Sequence, residues 1–202
     1  MPLTPLPITL QSYRQAAEVL ARAFLDDPVT VAVYRNFSPE RRLRALAVDF
    51  TAEVLECVHR GHPLQIDMER NVIAAAVIFP PRTYPLPVLT QWMLLAKSIW
   101  GNGIYDVGSW LRWQEEVDKY RPSRPHYYLE YLGVEPGLQG KALGSTLVKT
   151  LTSKADRERV GSYLENANAR NISFYQRLGF DIVNEKEIIG VRTWFMWRDP
   201  GK

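Results

Sequence analysis

The first sixty residues carry apolar side chains at the spacing of two amphipathic helices. The first pattern lies between Ser12 and Leu25, where one helical face collects Ala16, Val19, Leu20, Ala23 and Phe24. Because the residue before a proline avoids helical angles, this helix is predicted to end before Asp26-Asp27-Pro28. A second helix is predicted from Ser38-Pro39, a capping serine with proline in the first helical position, to about Gly61.

After Gly61 the period changes from helical to extended. Alternation over 64–69 and an almost continuous apolar run over 72–79 predict two strands joined by a turn. Further strands are predicted over 126–134, 162–166, 180–188 and 192–197, with helices over 142–159 and 170–178. Strands that alternate with helices predict an α/β or α+β fold, in which helices cover a central sheet.

Residues 82–121 interrupt this alternation. A proline-rich connection is followed by two aromatic-rich helical patterns, near 88–100 and 107–120. Both helices are too short to form a hydrophobic core of their own. We therefore expect a single domain over residues 1–202 with a helical insert between the early and central strands. Its aromatic faces are expected either to pack in the core or to roof a pocket, and they contain Trp92, Leu95 and Ile99, then Trp110, Trp113 and Val117.

Composition and charge exclude several classes of function and partner. The 25 basic and 22 acidic side chains leave a net charge of +3, too small to indicate a nucleic-acid partner. A single cysteine, Cys57, excludes an internal disulfide, and no Cys/His cluster has zinc spacing, so no metal is expected. The chain shows neither a signal-peptide pattern nor an apolar run that could span a bilayer. These features predict a cytoplasmic protein without a membrane partner.

The segment 127–145 carries the chemistry. A strand ends at Pro136, a turn rich in small residues follows, and a helix begins. Small residues let main-chain amides approach a ligand, and the first turn of a helix leaves its amides unpaired. This predicts a phosphate or pyrophosphate site over Gly140–Ser145, the alternative being a tight connection without a ligand. The glycine spacing fits neither a P-loop nor the dinucleotide fingerprint.

Two motifs resemble the GNAT superfamily of acetyltransferases. Gln139-Gly140-Lys141-Ala142-Leu143-Gly144 resembles its Q/R-x-x-G-x-G/A coenzyme A signature, and the segment 164–180 is similar to its closing motif. Ala142 replaces the usual glycine, which we expect to be tolerated at right-handed helical angles. Segments 23–28 and 192–196 resemble the puromycin N-acetyltransferase-like small-molecule acetyltransferases. The resemblance implies a GNAT-type mixed sheet, flanked by helices, whose central strands splay apart.

The resemblance also implies the co-substrate, acetyl-CoA, and the residues that bind it. Main-chain groups of strand residues would bind the pantetheine arm, with the Val134 amide as donor to the thioester oxygen. Amides of the turn would hold the pyrophosphate. Asn171 also fits the start of a helix, which is the alternative to its role in coenzyme binding. The implied coenzyme-binding residues are Leu132, Gly133, Val134, Gln139, Gly140, Lys141, Ala142, Leu143, Gly144, Ser145, Asn168 and Asn171.

Catalytic roles follow from the same resemblance. Tyr175 occupies the family's proton-donor position, the alternative being a core tyrosine. Glu130 lies four residues before Val134, so an unbroken strand places it on the same face as Leu132 and Val134, either as the base or as a partner for an arginine. Asp27 is expected to bind the substrate cation. Glu165 ranks third as a base.

The resulting hypothesis is an N-acetyltransferase that transfers acetyl from acetyl-CoA to a primary amine of a small molecule by direct attack in a ternary complex. An acyl-enzyme is disfavoured because no activated nucleophile is present, and Cys57 is expected to be buried and inert. A non-catalytic acyl-CoA-binding or regulatory module and a protein N-terminal acetyltransferase are the alternatives. The acceptor, a small aromatic or a polyamine-like amine, stays open, as does a homodimer.

Overall fold

The computed structural model describes residues 4–102 and 107–202, so positions 103–106 of the predicted insert lie outside the described residues. The strands are β1 (Leu6–Pro7), β2 (Leu64–Met68), β3 (Asn71–Phe79), β4 (His126–Val134), β5 (Gly161–Asn166), β6 (Asp181–Ile188) and β7 (Val191–Arg198). The helices are α1 (Tyr13–Ala23), α2 (Pro28–Val33), α3 (Pro39–Arg60), α4 (Val88–Asn102), α5 (Val107–Asp118), α6 (Leu143–Glu158) and α7 (Ile172–Gln176). The predicted helices and strands are confirmed, and α2 and β1 are additional.

The residue before Pro28 has two structural consequences. Asp27 is extended, with φ −63° and ψ 137°, which ends the preceding helical turn. Its carboxylate then accepts a hydrogen bond from the Val29 amide at 3.0 Å and caps α2. Ser38 begins α3 in the same way, because its hydroxyl accepts from the Arg41 amide at 3.3 Å.

The strands form one mixed sheet in the order β1-β2-β3-β4-β5-β7-β6. Neighbouring strands are antiparallel except β4 and β5, which are parallel and joined through α6. Parallel pairing covers only three residue pairs, ending at Tyr128 opposite Tyr163. Beyond them β4 continues to Val134 and β5 to Asn166 without pairing to each other. This divergence is the splay implied by the family resemblance.

Two apolar layers cover the two faces of the sheet. The first packs α1 and α3 against the sheet around residues such as Leu20, Phe50 and Phe79. The second packs α6 and the segment after β5 against the other face around Leu147, Leu164 and Phe180. The central strand β3 is therefore buried on both sides, which explains its continuous apolar run.

The insert lies beside α3. The Asn102 side chain at the end of α4 donates to the Ala45 carbonyl at 3.3 Å and to Asp49 Oδ1 at 2.9 Å. Trp110 and Trp113 of α5 pack partly buried against the first apolar layer. Of the predicted stripe of α4, Leu95 is buried, whereas Trp92 is 62% exposed and Ile99 is 37% exposed, so the stripe packs through Leu95 alone. None of the helices in the described part has the length and apolarity needed to cross a bilayer.

Candidate active site

A cavity of about 190 Å³ opens where β4 and β5 diverge. The strands supply its floor, α2 and α3 one wall, the insert helices α4 and α5 another, and α7 closes one end. The insert therefore lines a pocket, which is one of the two roles predicted for its aromatic faces. Of the predicted site residues, the cavity brings together Asp27, Glu130, Leu132, Glu165, Asn171 and Tyr175.

Tyr175 and Asp27 share one end of this cavity. Tyr175 lies on α7, is 8% exposed, and has ring contacts with Phe174 and Phe180 at centroid distances of 4.9 and 6.0 Å. Burial, together with the nearby charge of Asp27, raises the pKa of the Tyr175 phenol. Burial also raises the pKa of Asp27, although the amides of Val29 and Thr30 counteract this. The phenol therefore keeps its proton at neutral pH.

Glu130 reaches the cavity through a β-bulge. Pairing with β3 places Tyr131 opposite Val77 and Leu129 opposite Ile78, which leaves Glu130 as the extra residue. Leu132 and Val134 pack toward α6, whereas Glu130 lies in the cavity on the α3 side. The expectation that Glu130 shares a face with Leu132 and Val134 is therefore wrong, because the bulge shifts the alternation by one residue.

The environment of Glu130 contains several other acids. Burial raises the pKa of Glu130 well above its usual value, and the charge of Glu53 raises it further. The Tyr84 hydroxyl and Arg121 act in the opposite direction. One carboxylate oxygen, Oε2, is buried and has no hydrogen-bond partner among the described residues. Glu130 thus borders the cavity with a carboxyl group that keeps one acceptor atom unpartnered.

Glu165, the third predicted base, forms an ion pair with Arg121. Its side chain is 5% exposed and its Oε1 lies 3.6 Å from Nη2 of Arg121, which is 7% exposed. The Arg121 guanidinium lies over the rings of Tyr84 and Tyr128, with its central carbon 4.4 and 4.9 Å from their centroids. Burial raises the pKa of Glu165, and Arg121 opposes the shift. This buried ion pair positions the wall of the cavity.

Two acidic cavity residues, Asp49 and Glu53, were not among the sequence predictions. They lie one turn apart on α3 and both line the cavity. Burial is the largest cause of a raised pKa in each, and for Glu53 the charges of Asp49 and Glu56 add to it, giving about 8. Their sequence signal is an i,i+4 pair of like charges beside the apolar positions Phe50 and Val54, an unfavourable arrangement on an isolated helix.

The predicted coenzyme turn lies outside the cavity, at the far end of β4. Ala142 precedes α6 with φ 61° and ψ 7°, so the expected right-handed angles are wrong: the residue is left-handed, the conformation that glycine adopts most easily. No side chain caps α6, which leaves the amides of its first turn available. Gly140, at φ +79°, has open space where a Cβ would stand, and Lys141 is exposed.

The unpaired edge of β4 offers main-chain groups. Glu135 donates its amide to the Ile73 carbonyl at 2.9 Å. Because bonded and non-bonded pairs alternate along an antiparallel ladder, Leu132 and Val134 turn their amides away from β3, toward the gap, and Gly133 turns toward β3. The Gln139 side chain donates to the Val134 carbonyl at 3.3 Å, consistent with this direction.

Gly133 instead permits the close approach of α1. A Cβ at this position would lie 2.8 Å from Leu20 Cδ2 and 3.0 Å from Ala23 Cβ. Asn168 and Asn171 mark the turns before α7. The Asn168 carboxamide accepts from the Arg170 amide at 3.1 Å, and Asn171 begins α7 without a side-chain cap.

Cys57 is buried, and its thiol donates to the Ile78 carbonyl at 3.3 Å. Burial raises the pKa of this thiol far above its usual value. Cys57 is therefore unsuited to act as a nucleophile, in agreement with the expectation from the sequence.

Comparison with known proteins identifies relatives of this chain. A family model described as the acetyltransferase (GNAT) family matches residues 32–180. An uncharacterized N-acetyltransferase of Schizosaccharomyces pombe is 23% identical, over 86% of this chain and 72% of the relative.

Two solved structures share the fold. One is described as histone acetyltransferase HPA2 and related acetyltransferase from Corynebacterium glutamicum, with TM-score 0.74 and 19% identity over 100% of this chain and 98% of that one. The other is the polyamine N-acetyltransferase of Drosophila melanogaster, with TM-score 0.64 and 16% identity over 98% and 99% of the two chains.

Proposed function

The chain belongs to the GNAT family of acetyltransferases, and from this membership we propose that it transfers the acetyl group of acetyl-CoA to a primary amine of a small molecule, by direct attack within a ternary complex. The observation that carries the proposal is the cavity at the β4–β5 divergence. It places a proton donor and several carboxyl groups beside the edge of β4, whose main-chain groups are not paired with β5 there.

The residues that would hold acetyl-CoA fit that ligand. The first-turn amides of α6, after Gly140 and Lys141, suit the pyrophosphate, because no side chain caps them and the space beside Gly140 is open. The amides of Leu132 and Val134 face the gap and suit the pantetheine arm and the acyl carbonyl. When bound, acetyl-CoA supplies an activated acyl group.

The cavity acids would receive the proton of the attacking amine. An amine arrives as an ammonium ion and attacks only after it loses a proton. The free Oε2 of Glu130 is the acceptor that we assign, directly or through a water molecule. Asp27, at the Tyr175 end, would hold the ammonium before the transfer.

Tyr175 would donate a proton to the departing sulfur. Its hydroxyl lies in a buried site in which its pKa is raised, so the group is fully protonated at neutral pH. The enclosed cavity favours a small molecule over a peptide as the acceptor, because the insert helices cover it. The Drosophila polyamine N-acetyltransferase supports the same acceptor class, since its fold is shared along the whole chain.

The test is thiol release from acetyl-CoA across a panel of primary amines, with Tyr175→Phe beside the wild type. We expect this variant to lower kcat by about 10²- to 10⁴-fold, the usual contribution of a positioned proton donor. Calorimetric affinity for coenzyme A should stay within about threefold of wild type, because the phenol does not contact the pyrophosphate turn.

Tyr120→Phe is the matched control. Tyr120 is half-buried, stacks on Phe195 at a centroid distance of 4.6 Å, and does not line the cavity. Its activity should equal that of the wild type. An absence of thiol release with every amine would contradict the proposed transfer, and an unchanged kcat in Tyr175→Phe would remove that residue from the mechanism.

A further inference from the structure

The cavity contains more carboxyl groups than one ammonium ion needs. Its acidic residues come from the start of α2 and from α3, β4 and β5, and comprise Asp27, Asp49, Glu53, Glu130 and Glu165. No lysine, arginine or histidine occurs among the described residues that line it. The undescribed residues 1–3 and 103–106 contain no basic side chain in the sequence. Arg121, the neighbouring cation, is paired with Glu165 and Asp118.

These acids fall into two groups at different positions. Asp27 is the charge that acts on Tyr175, at the end where transfer is proposed. Asp49 and Glu53 lie on α3 and act on each other, and the charge of Glu53 acts on Glu130. The α3 pair is therefore separate from the Tyr175 end, on the wall shared with α4.

The α3 pair is held in place but has no cationic partner among the described residues. Asp49 accepts from the Tyr34 hydroxyl and from the Asn102 side chain, neutral donors that leave its charge intact. Glu53 makes no hydrogen bond or ion pair with the described residues. The titratable groups that act on it or respond to it carry no positive charge, and they are Asp49 and Glu56 of α3, Cys57 of α3, Glu130 and Tyr131 of β4, and Tyr84 of the connecting loop.

A buried carboxylate without a cation is unfavourable unless a ligand supplies the charge. The described residues contain no group of three His, Cys, Asp or Glu placed to hold a metal ion. The walls instead include the rings of Phe50, Tyr131, Trp110 and Trp113, surfaces that attract organic cations.

We propose that Asp49 and Glu53 form a subsite for a second cationic group of the acceptor, so that the preferred substrate is a small aliphatic diamine or guanidino-amine. This inference rests on the proposed acetyl transfer, because it assumes that the first amine reacts at the Tyr175 end. A cavity of about 150 Å³ accepts benzene, so the volume here suits a chain of roughly eight heavy atoms. A monocationic aromatic amine would leave the α3 carboxyl groups without a cationic partner.

Binding of the second cation has a proton signature. At neutral pH the raised pKa of Glu53, about 8, keeps that carboxyl mostly protonated in the free protein. A cation beside it favours the ionised form, so the proton leaves as the diamine binds. Entry of a diamine should therefore release on the order of one proton per molecule at pH 7.

The kinetic experiment compares n-butylamine with putrescine, which differ only by the second amine. We expect kcat/KM for putrescine to exceed that for n-butylamine by roughly tenfold to hundredfold, mainly through KM. Glu53→Gln should reduce this ratio by at least tenfold. Glu40→Gln is the matched control on the same helix, because Glu40 is exposed and does not line the cavity, and it should leave the ratio unchanged.

Calorimetry of putrescine binding without acetyl-CoA gives a second readout. Heats in two buffers of unequal ionisation enthalpy should show proton release in the wild type and in Glu40→Gln, and about one proton less in Glu53→Gln.

Equal kcat/KM for the two amines, or equal losses for both in Glu53→Gln, would overturn the subsite. A lack of turnover with every amine would contradict the proposed function instead. In that case putrescine binding with proton release would still support the subsite, and absence of binding would overturn it.

Discussion

Replacing Ala142 by glycine should stabilise the protein. Ala142 stands at φ 61° and ψ 7°, directly before the first residue of α6, and it is exposed. In this left-handed conformation the Cβ crowds the following carbonyl oxygen, whereas glycine has no Cβ to crowd it. The substitution removes no buried contact, so the conformational preference determines the outcome.

The magnitude follows from two opposing terms. The left-handed conformation costs an L-residue about 1–2 kcal/mol. Glycine loses roughly 0.5–1 kcal/mol more conformational entropy on folding than alanine does. The net gain in unfolding free energy is therefore about 0.5–1 kcal/mol, which corresponds to a rise in Tm of about 1–4 °C for a chain of this length.

Urea unfolding followed by circular dichroism measures this difference. Lys149→Gly is the matched control, because Lys149 is an exposed interior position of the same helix. Loss of helix propensity there should lower the unfolding free energy by about 0.5–1 kcal/mol, so the two glycines act in opposite directions. An Ala142→Gly protein that is as stable as the wild type, or less so, would refute the reasoning.

Two further predictions concern stability. Gly161→Ala should destabilise the fold by about 2 kcal/mol or more in urea unfolding, because its Cβ would meet the buried Trp197 ring at 2.0 Å, whereas Gly137→Ala, with open space around it, should not. Since Glu53 in the folded protein has a pKa of about 8, above its unfolded value, the unfolding free energy should fall as pH rises from about 5 to 8. Glu53→Gln should reduce this slope and be more stable than wild type at pH 8, and parallel pH profiles would contradict the buried charge.

Strong periodicity made the main elements predictable. The apolar run of β4 was predicted over 126–134, which is the observed strand, and the stripe beginning at Ser38 gave α3 to within a residue or two. The signature of α3, a capping residue followed by proline, also stands at Asp27-Pro28. It was not used to predict α2, because that helix spans only 28–33 and has too few turns to show a stripe.

The bulge at Glu130 could not be predicted. The strand residues 127–134 are almost all apolar or aromatic, so no break in alternation marks the extra residue. Its position depends on how β4 pairs with β3, a property of the assembled sheet. The side chain consequently lies on the other face of the strand from the one expected, and its role as the base stays a prediction.

The acids of α3 illustrate a different limit. Asp49 and Glu53 lie beside Phe50 on a helix whose other polar residues are solvent-exposed or paired, and the sequence does not show which polar positions face inward. Their burial arises when the insert helix α4 packs on α3. A contact between segments about fifty residues apart leaves no local pattern, so a cavity that combines several elements is visible only in the folded structure.

Gly133 links the packing of α1 on β4 to the width of the acceptor site. Helix α1 rests so closely on β4 that a single methyl group at this position would collide with Leu20 and Ala23. The end of that helix leads directly into Phe24 and Asp27, which border the cavity. A larger residue at 133 would therefore tilt the helix outward and widen the entrance for bulkier amines, while every group that binds substrate kept its identity.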